Sequence, residues 1–396
     1  MPLSTALPPA ETGTAEPVRL LSPEGQLVHS ALSEEYLPVI EALPDERLED
    51  FHRQMVLMRR WDIEAGNLQR QGQLALWIPS HGQEAAQVGS AFAAKPQDHV
   101  FPAYREHVVG KIRGLDPVRI MAILRGIDHG GWDPRETGNF HIYVLVIGAQ
   151  SLHATGYAMG IGLDGASGTG DPDRDEAVLV YFGDGATSQG DVNEAMIFAA
   201  SYQTPQVFFL QNNHWAISVP VERQSRTPLY LRAAGFGIPT TQIDGNDVLA
   251  SYAVTQSALD AARSGAGPRF IEALTYRMGA HTSSDDPTKY RENEELAYWG
   301  ARDPITRMEA FLRGRGASES YFRALAVEAE EFAADIRTRT LALQPPPRER
   351  LFRHAYTDAH PLVDEQRAWL ERYEAGYGDA AAPDTGAAPA EDGAGA

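Results

Sequence analysis

Two short apolar runs, each ended by small polar residues, are the first structural signal along the chain. Ala177 to Phe182 meets Gly183-Asp184-Gly185, and Val207 to Leu210 meets Gln211-Asn212-Asn213. Both runs are rich in β-branched and aromatic residues, which predicts strands buried on both faces of a parallel sheet. Between them Val192, Ala195, Met196 and Ala199 recur at the spacing of one helical face, predicting a helix over 191–202. Strand, helix and strand then make a right-handed crossover whose strands are neighbours. The same patterning predicts helices at 45–71, 83–94, 117–127, 151–163, 248–263, 304–312, 320–343 and 365–377, and a strand at 269–275. The expected fold is α/β, a mainly parallel sheet flanked by helices.

That crossover brings Asp184 and Asn213 to the carboxyl ends of adjacent strands, the crevice where open α/β sheets bind ligands. A carboxylate and an amide carbonyl there suit a hard cation such as Mg²⁺, which shares its remaining coordination with phosphate. Gly183 and Gly185 let backbone N–H groups approach that phosphate closely. Taken singly, Gly-Asp-Gly is an ordinary tight turn and Asn-Asn an ordinary loop. Their pairing at the two ends of one crossover is what predicts a Mg²⁺-diphosphate site.

Gly183-Asp184-Gly185 followed by Asn212-Asn213 resembles the thiamine diphosphate motif, whose Asp and second Asn hold the metal. The fuller stretches Phe182 to Asp191 and Asn212 to Ser218 resemble the alpha subunit of the decarboxylating first component of 2-oxo acid dehydrogenase complexes. The resemblance implies a thiamine diphosphate-binding fold over residues 18–375, between a flexible arm at 1–17 and a disordered tail at 376–396. It also implies site residues. Tyr104 and Arg105 would bind the diphosphate, and Leu145 and Ile147 would present backbone groups to the aminopyrimidine. Gly183, Asp184, Gly185, Ala186, Asn213 and Trp215 would surround the cofactor, with Asp184, Asn213 and Trp215 on Mg²⁺. His281 would touch the diphosphate and assist the acyl acceptor, in a loop closed by Tyr290 and Arg291.

Other positions stay open between two readings. In the family Trp77, Ile78 and His81 approach the substrate, but Leu74 to Ile78 also reads as a core strand followed by a surface His. Val144 to Gln150 reads equally as a buried strand, and His129 lies in a Gly-rich loop. Eukaryotic relatives phosphorylate a hydroxyl in the His281 loop, which would offer Thr282, Ser283 or Ser284. Gln242 to Asp247 has the look of a metal loop but reads as a turn. Gly156 and Gly160, four apart on one helix, suggest a close subunit or sheet contact.

By this resemblance the cofactor's ylid adds to a 2-oxo acid, CO₂ leaves, and the acyl unit passes to the lipoyl domain of an acyltransferase component. The family places the carboxylate that activates the ylid on a beta subunit, so an α₂β₂ assembly is expected. Gln211, where branched-chain relatives often have Arg, together with Ile147 to Gln150, favours pyruvate as substrate. Thr282 to Asp286 and Gly245 to Asp247 suit branched-chain 2-oxo acids equally, and acetoin is a third choice. A non-catalytic α/β scaffold is the reading from a different class, opposed by the joint presence of Asp184, Asn213, Tyr104, Arg105 and His281.

Composition narrows the partners. A net charge of −20 opposes attachment to nucleic acid or to an anionic membrane. No transmembrane run or secretory signal is readable, so the cytoplasm is expected. With 0 cysteines, disulfides and thiol catalysis are excluded.

Overall fold

A computed structural model describes residues 16–128, 131–353 and 355–377. Most of the expected arm, His129 and nearly all of the expected tail lie outside them. The chain forms two compact units, one ending at Leu343 and one beginning at Gln344.

The first unit is built on five strands: β1 (His99–Phe101), β2 (Val178–Gly183), β3 (Gln206–Asn212), β4 (Thr240–Asp244) and β5 (Arg269–Leu274). They pair in the order β1-β2-β3-β5-β4, and every pairing is parallel. Period-two alternation explains why the central strands carry no polar face. Leu179, Tyr181, Val207, Phe209 and Ile271 point into one apolar layer, while Val178, Val180, Phe182, Phe208, Leu210 and Phe270 point into the other.

Helices cover both layers. On the first lie α1 (Asp45–Arg70), α2 (Glu84–Ala93) and α5 (Val248–Arg263), backed by α6 (Pro304–Gly314) and α7 (Glu319–Leu341). On the second lie α3 (Ala149–Leu163) and α4 (Gly190–Tyr202). The apolar positions of α1, Leu48, Phe51, Met55, Leu57, Met58 and Trp61, which recur near the helical period, are all buried. α2 and α5 cross closely at Gly89, where a Cβ would stand 2.6 Å from the Val248 carbonyl oxygen. The β2-α4-β3 unit has the predicted neighbours, with Tyr181 opposite Phe209 and Gly183 opposite Gln211.

Several expectations are corrected. The helix begun at Pro117 stops at Leu124 because Gly126 turns to φ 75° and the Ile127 N–H returns to the Ala122 carbonyl. Leu74 to Ile78 joins no sheet, and Val144 to Gln150 is not a buried strand: Leu145 is 64% and Val146 70% exposed. Among the described residues, nothing beyond their own stretch of helix comes within 4 Å of the Cβ that Gly156 and Gly160 lack, so they make no contact with the sheet. No helix among the described residues is long and apolar enough to cross a membrane. The second unit contributes Arg350–Arg353 and Pro361–Ala375, the latter with Pro361 in its first turn.

Gln242 to Asp247 is the end of β4 and a turn. Its Asp247 is fully buried and accepts four backbone N–H groups: Leu249 and Ala250 at the start of α5, and Leu20 and Leu21 of the N-terminal segment. Replacing it leaves four buried donors unpaired. Asp247→Ala should lower the unfolding free energy by about 3 kcal/mol, read from the midpoint of urea denaturation.

Candidate active site

β2 and β3 end side by side, and each hands its next residues to a cavity of about 240 Å³. Gly183 passes into a 3-10 turn, Asp184–Ser188, while Asn212 passes to Asn213 and a two-residue hairpin pairing Trp215 and Ala216 with Val219 and Pro220. Facing these strand ends are the Ala103 to Glu106 turn after β1, the segment Val144 to Gln150 entering α3, Gln83 before α2, and His281. Tyr104, Arg105, Ile147, Gly183, Asp184, Gly185, Ala186, Asn213, Trp215 and His281 all line it. These are ten of the eleven residues nominated for the cofactor, drawn from five separate stretches; Leu145 is the one the cavity wall lacks.

Asp184 is 1% exposed, and its carboxylate takes a hydrogen bond of 2.8 Å from Gln224 Nε2. Burial raises its pKa, opposed by that hydrogen bond and by the Asn213 N–H. Asn213 is held at both ends of its amide: Oδ1 accepts the Trp215 N–H at 3.2 Å, and Nδ2 donates to Gln83 Oε1 at 3.3 Å.

Arg105 lines the same cavity and is 5% exposed. Its Nη1 donates to the Pro79 carbonyl, and its Nη2 donates at 3.3 Å to both the ring Nδ1 and the carbonyl of His281. Among the described residues no carboxylate forms an ion pair with it. Because a guanidinium only donates, His281 Nδ1 is the acceptor, so Nε2 carries the ring proton. Burial first, then the charges of Arg105 and Arg277, lower the His281 pKa to about 4, leaving a neutral imidazole at neutral pH.

The His281 loop is pinned from inside. Asp285 accepts the His281 N–H at 2.8 Å and the Tyr290 hydroxyl, and Arg277 Nη2 donates to that hydroxyl at 2.8 Å. Arg291 donates to the carbonyls of Arg277, Met278 and Gly279. Tyr290 and Arg291 therefore frame the loop and do not line the cavity. Leu145, Trp77, Ile78 and His81 also lie outside the cavity wall. Trp77 is buried, stacked on His107 at 4.5 Å with its Nε1 on Asp62, and Ser283 holds its backbone from the loop side.

Arg277 was missed in the sequence. It is fully buried and donates to the carbonyls of Trp215 at 3.2 Å and Ile217 at 2.6 Å. That grip holds Ile217 at φ 54°, a left-handed conformation that a β-branched residue rarely adopts. Gln83, Gln150, Gln189 and Gln224 were missed too, since glutamine carries no spacing signature. Among the described residues Gln83 Nε2 and Gln150 Oε1 are buried without a hydrogen-bond partner.

The family described as dehydrogenase E1 component matches residues 52–331. The chain belongs to that family. Among the relatives, the 3-methyl-2-oxobutanoate dehydrogenase subunit alpha of Mycobacterium tuberculosis is 40% identical over 362 residues, 90% of this chain and 93% of its own length. The pyruvate dehydrogenase E1 component subunit alpha of Acholeplasma laidlawii is 37% identical, covering 84% of this chain and 94% of the relative. Its Bacillus cereus counterpart is 35% identical, covering 91% and 92%.

The depressed His281 pKa has a checkable sign and cause. In an NMR titration of histidine-labelled protein, His281 should stay neutral from pH 8 down past 6.5 and charge near 4. Arg105→Met should move that midpoint upward. A wild-type midpoint at the ordinary value would refute the buried, Arg-flanked geometry.

Proposed function

We propose that this chain is the alpha subunit of a thiamine diphosphate-dependent 2-oxo acid dehydrogenase, decarboxylating a 2-oxo acid oxidatively and passing the acyl group to a lipoyl domain. The observation that carries the reading is the charge arrangement of one cavity. Arg105, a buried guanidinium with no carboxylate partner among the described residues, lines the same cavity as a buried carboxylate, Asp184, and as Gln83, whose Nε2 has no hydrogen-bond partner among those residues. An anion bearing a divalent cation satisfies both walls, and a neutral ligand satisfies neither. The donor set fits Mg²⁺-diphosphate: Asp184, Asn213 Oδ1 and the Trp215 carbonyl would hold the metal, with Arg105 and Tyr104 on phosphate oxygens. Among the described residues no cluster of three or more His, Cys, Asp or Glu competes as a metal site.

Bound there, thiamine diphosphate supplies the nucleophilic carbon and the electron sink for loss of CO₂. The chain's own contribution is placement. Val144 and Ile147 are among the apolar residues lining the cavity, and the backbone at Ile147 and Gly148 would be available to the aminopyrimidine. His281 keeps a proton on Nε2 while Nδ1 is occupied by Arg105, so it donates a hydrogen bond without carrying charge.

The site is incomplete without a partner. Glu106 is the other carboxylate lining the cavity, and it is tied to its own turn and to Gln211, so it is not free to act on an aminopyrimidine. The surface beside the cavity is apolar: Leu145, Val146, Tyr157, Leu163, Ile197 and Phe198 are exposed on and before α3 and α4, next to the open Gly156 and Gly160. A beta subunit covering this face and supplying the carboxylate is our reading, as are the α₂β₂ assembly and the cytoplasmic setting. The scaffold alternative is disfavoured because the five groups weighed against it, Asp184, Asn213, Tyr104, Arg105 and His281, line one cavity.

Two observations bear on the substrate. Gln211 favours pyruvate, whereas whole-chain identity is 40% to the relative named for 3-methyl-2-oxobutanoate and 37% and 35% to those named for pyruvate. Gln211 is engaged with Glu106 and Gln87, which weakens it as a reporter of the acyl group. The branched acid is therefore assayed first and pyruvate second.

Dye-coupled kcat/KM of the chain co-expressed with its beta subunit should be higher for one of these acids by about tenfold or more. Turnover of neither would refute the reading. Asp184→Asn should lower kcat/KM about 10³-fold and abolish Mg²⁺-dependent cofactor binding, since an uncompensated diphosphate is left in a buried site.

A further inference from the structure

The turn that carries Arg105 is held by a closed set of buried hydrogen bonds that reaches across to β3. Glu106, 2% exposed, accepts the Ala103 N–H at 2.8 Å and the Arg105 N–H at 3.3 Å on Oε2. Its Oε1 accepts Gln211 Nε2 at 2.6 Å. Gln211 Oε1 in turn accepts Gln87 Nε2 at 3.2 Å, and the same Nε2 donates at 3.2 Å to the Arg105 carbonyl, which Ser80 Oγ also reaches at 2.8 Å. The backbone N–H and carbonyl of Arg105 are thus both fixed by this set.

Polarity makes the set specific. A carboxylate at 106 only accepts, so Gln211 must turn its amide nitrogen toward it and its carbonyl toward Gln87. Gln87 must then donate, which aims it at the Arg105 carbonyl. Gln211 lies in the same strand as Asn212 and opposite Gly183, level with the carboxyl ends that present Asp184 and Asn213.

We infer that Glu106 and Gln211 are a positioning pair, coupling the anion-binding wall of the cavity to the metal-binding wall. Neither is a catalytic residue; both act through Arg105. The inference rests on the diphosphate reading above. It gives Gln211 a role in cofactor affinity that is separate from choice of the acyl group.

An exchange tests it. In Glu106→Gln alone, two amide nitrogens face each other. In Gln211→Glu alone, two buried carboxylates do. In the doubly exchanged variant the amide at 106 donates to the carboxylate at 211, whose second oxygen still accepts Gln87, and every bond of the set is kept.

The measurement is the Kd of thiamine diphosphate at saturating Mg²⁺, read from tryptophan fluorescence in the α/β assembly, with melting of the cofactor-free assembly as the control for folding. Each single exchange should weaken binding about tenfold or more, and the double should return to within about threefold of wild type. In an Arg105→Met background, Glu106→Gln should add less than about twofold, because the group it positions is gone. A weakly binding but folded double variant overturns the inference, and so does a full further loss on top of Arg105→Met. Should a single variant fail to fold, the double against wild type still decides. Wild-type assembly that binds no thiamine diphosphate refutes the cofactor reading itself, and this inference with it.

Discussion

A guanidinium kept out of water without a carboxylate partner is the constraint on which the site depends. A guanidinium keeps its charge when buried, so Arg105 needs oxygen atoms around it and favours the arrival of an anion. The protein supplies the first as carbonyls of Pro79 and His281 and leaves the second to the ligand. Asp184 poses the opposite problem in the same cavity, which under the proposed function a chelated divalent cation would resolve. On that reading the cavity would favour a ligand carrying both signs.

Rigid elements hold the two walls at a fixed separation. Asp184 and Asn213 ride on central strands whose side chains are buried on both faces, so the strand ends cannot shift without disturbing two packed layers. The Arg105 turn is anchored from Glu106, Gln87 and Ser80. The His281 loop has no sheet to lean on and is instead tied internally through Asp285, Tyr290, Arg277 and Arg291. One of those ties, Arg277 on the carbonyls of Trp215 and Ile217, joins the loop to the segment after β3, so loop and strand end move together or not at all.

The legibility of the site followed chemical type. Asp184 and Asn213 were readable because each ends an apolar run, and the crossover between them is a local pattern. Tyr104, Arg105, Ile147 and His281 came only through motif resemblance, since a lone Arg or loop His has no periodic context. Arg277, Gln83 and Gln224 escaped both routes: the partners that tie them to the site, the carbonyls of Trp215 and Ile217, the Asn213 amide and the Asp184 carboxylate, lie 40 or more residues away, and no local pattern records such a contact. Tyr290 and Arg291 were nominated with the loop but serve its frame, a distinction set by where their side chains reach.

By itself the sequence determined the alternation of strands and helices, the neighbouring β2 and β3, the buried apolar positions of α1, and the family, because all of these are written in local periodicity and contiguous motifs. Tertiary structure alone decided that Val144 to Gln150 is an exposed cavity wall and no strand, that Gly156 and Gly160 face outward, and that Gln211 bridges to Glu106. The physical reason is separation. Gln211 and Glu106 lie 105 residues apart, and their hydrogen bond exists only once the sheet has brought β3 beside the turn that follows β1.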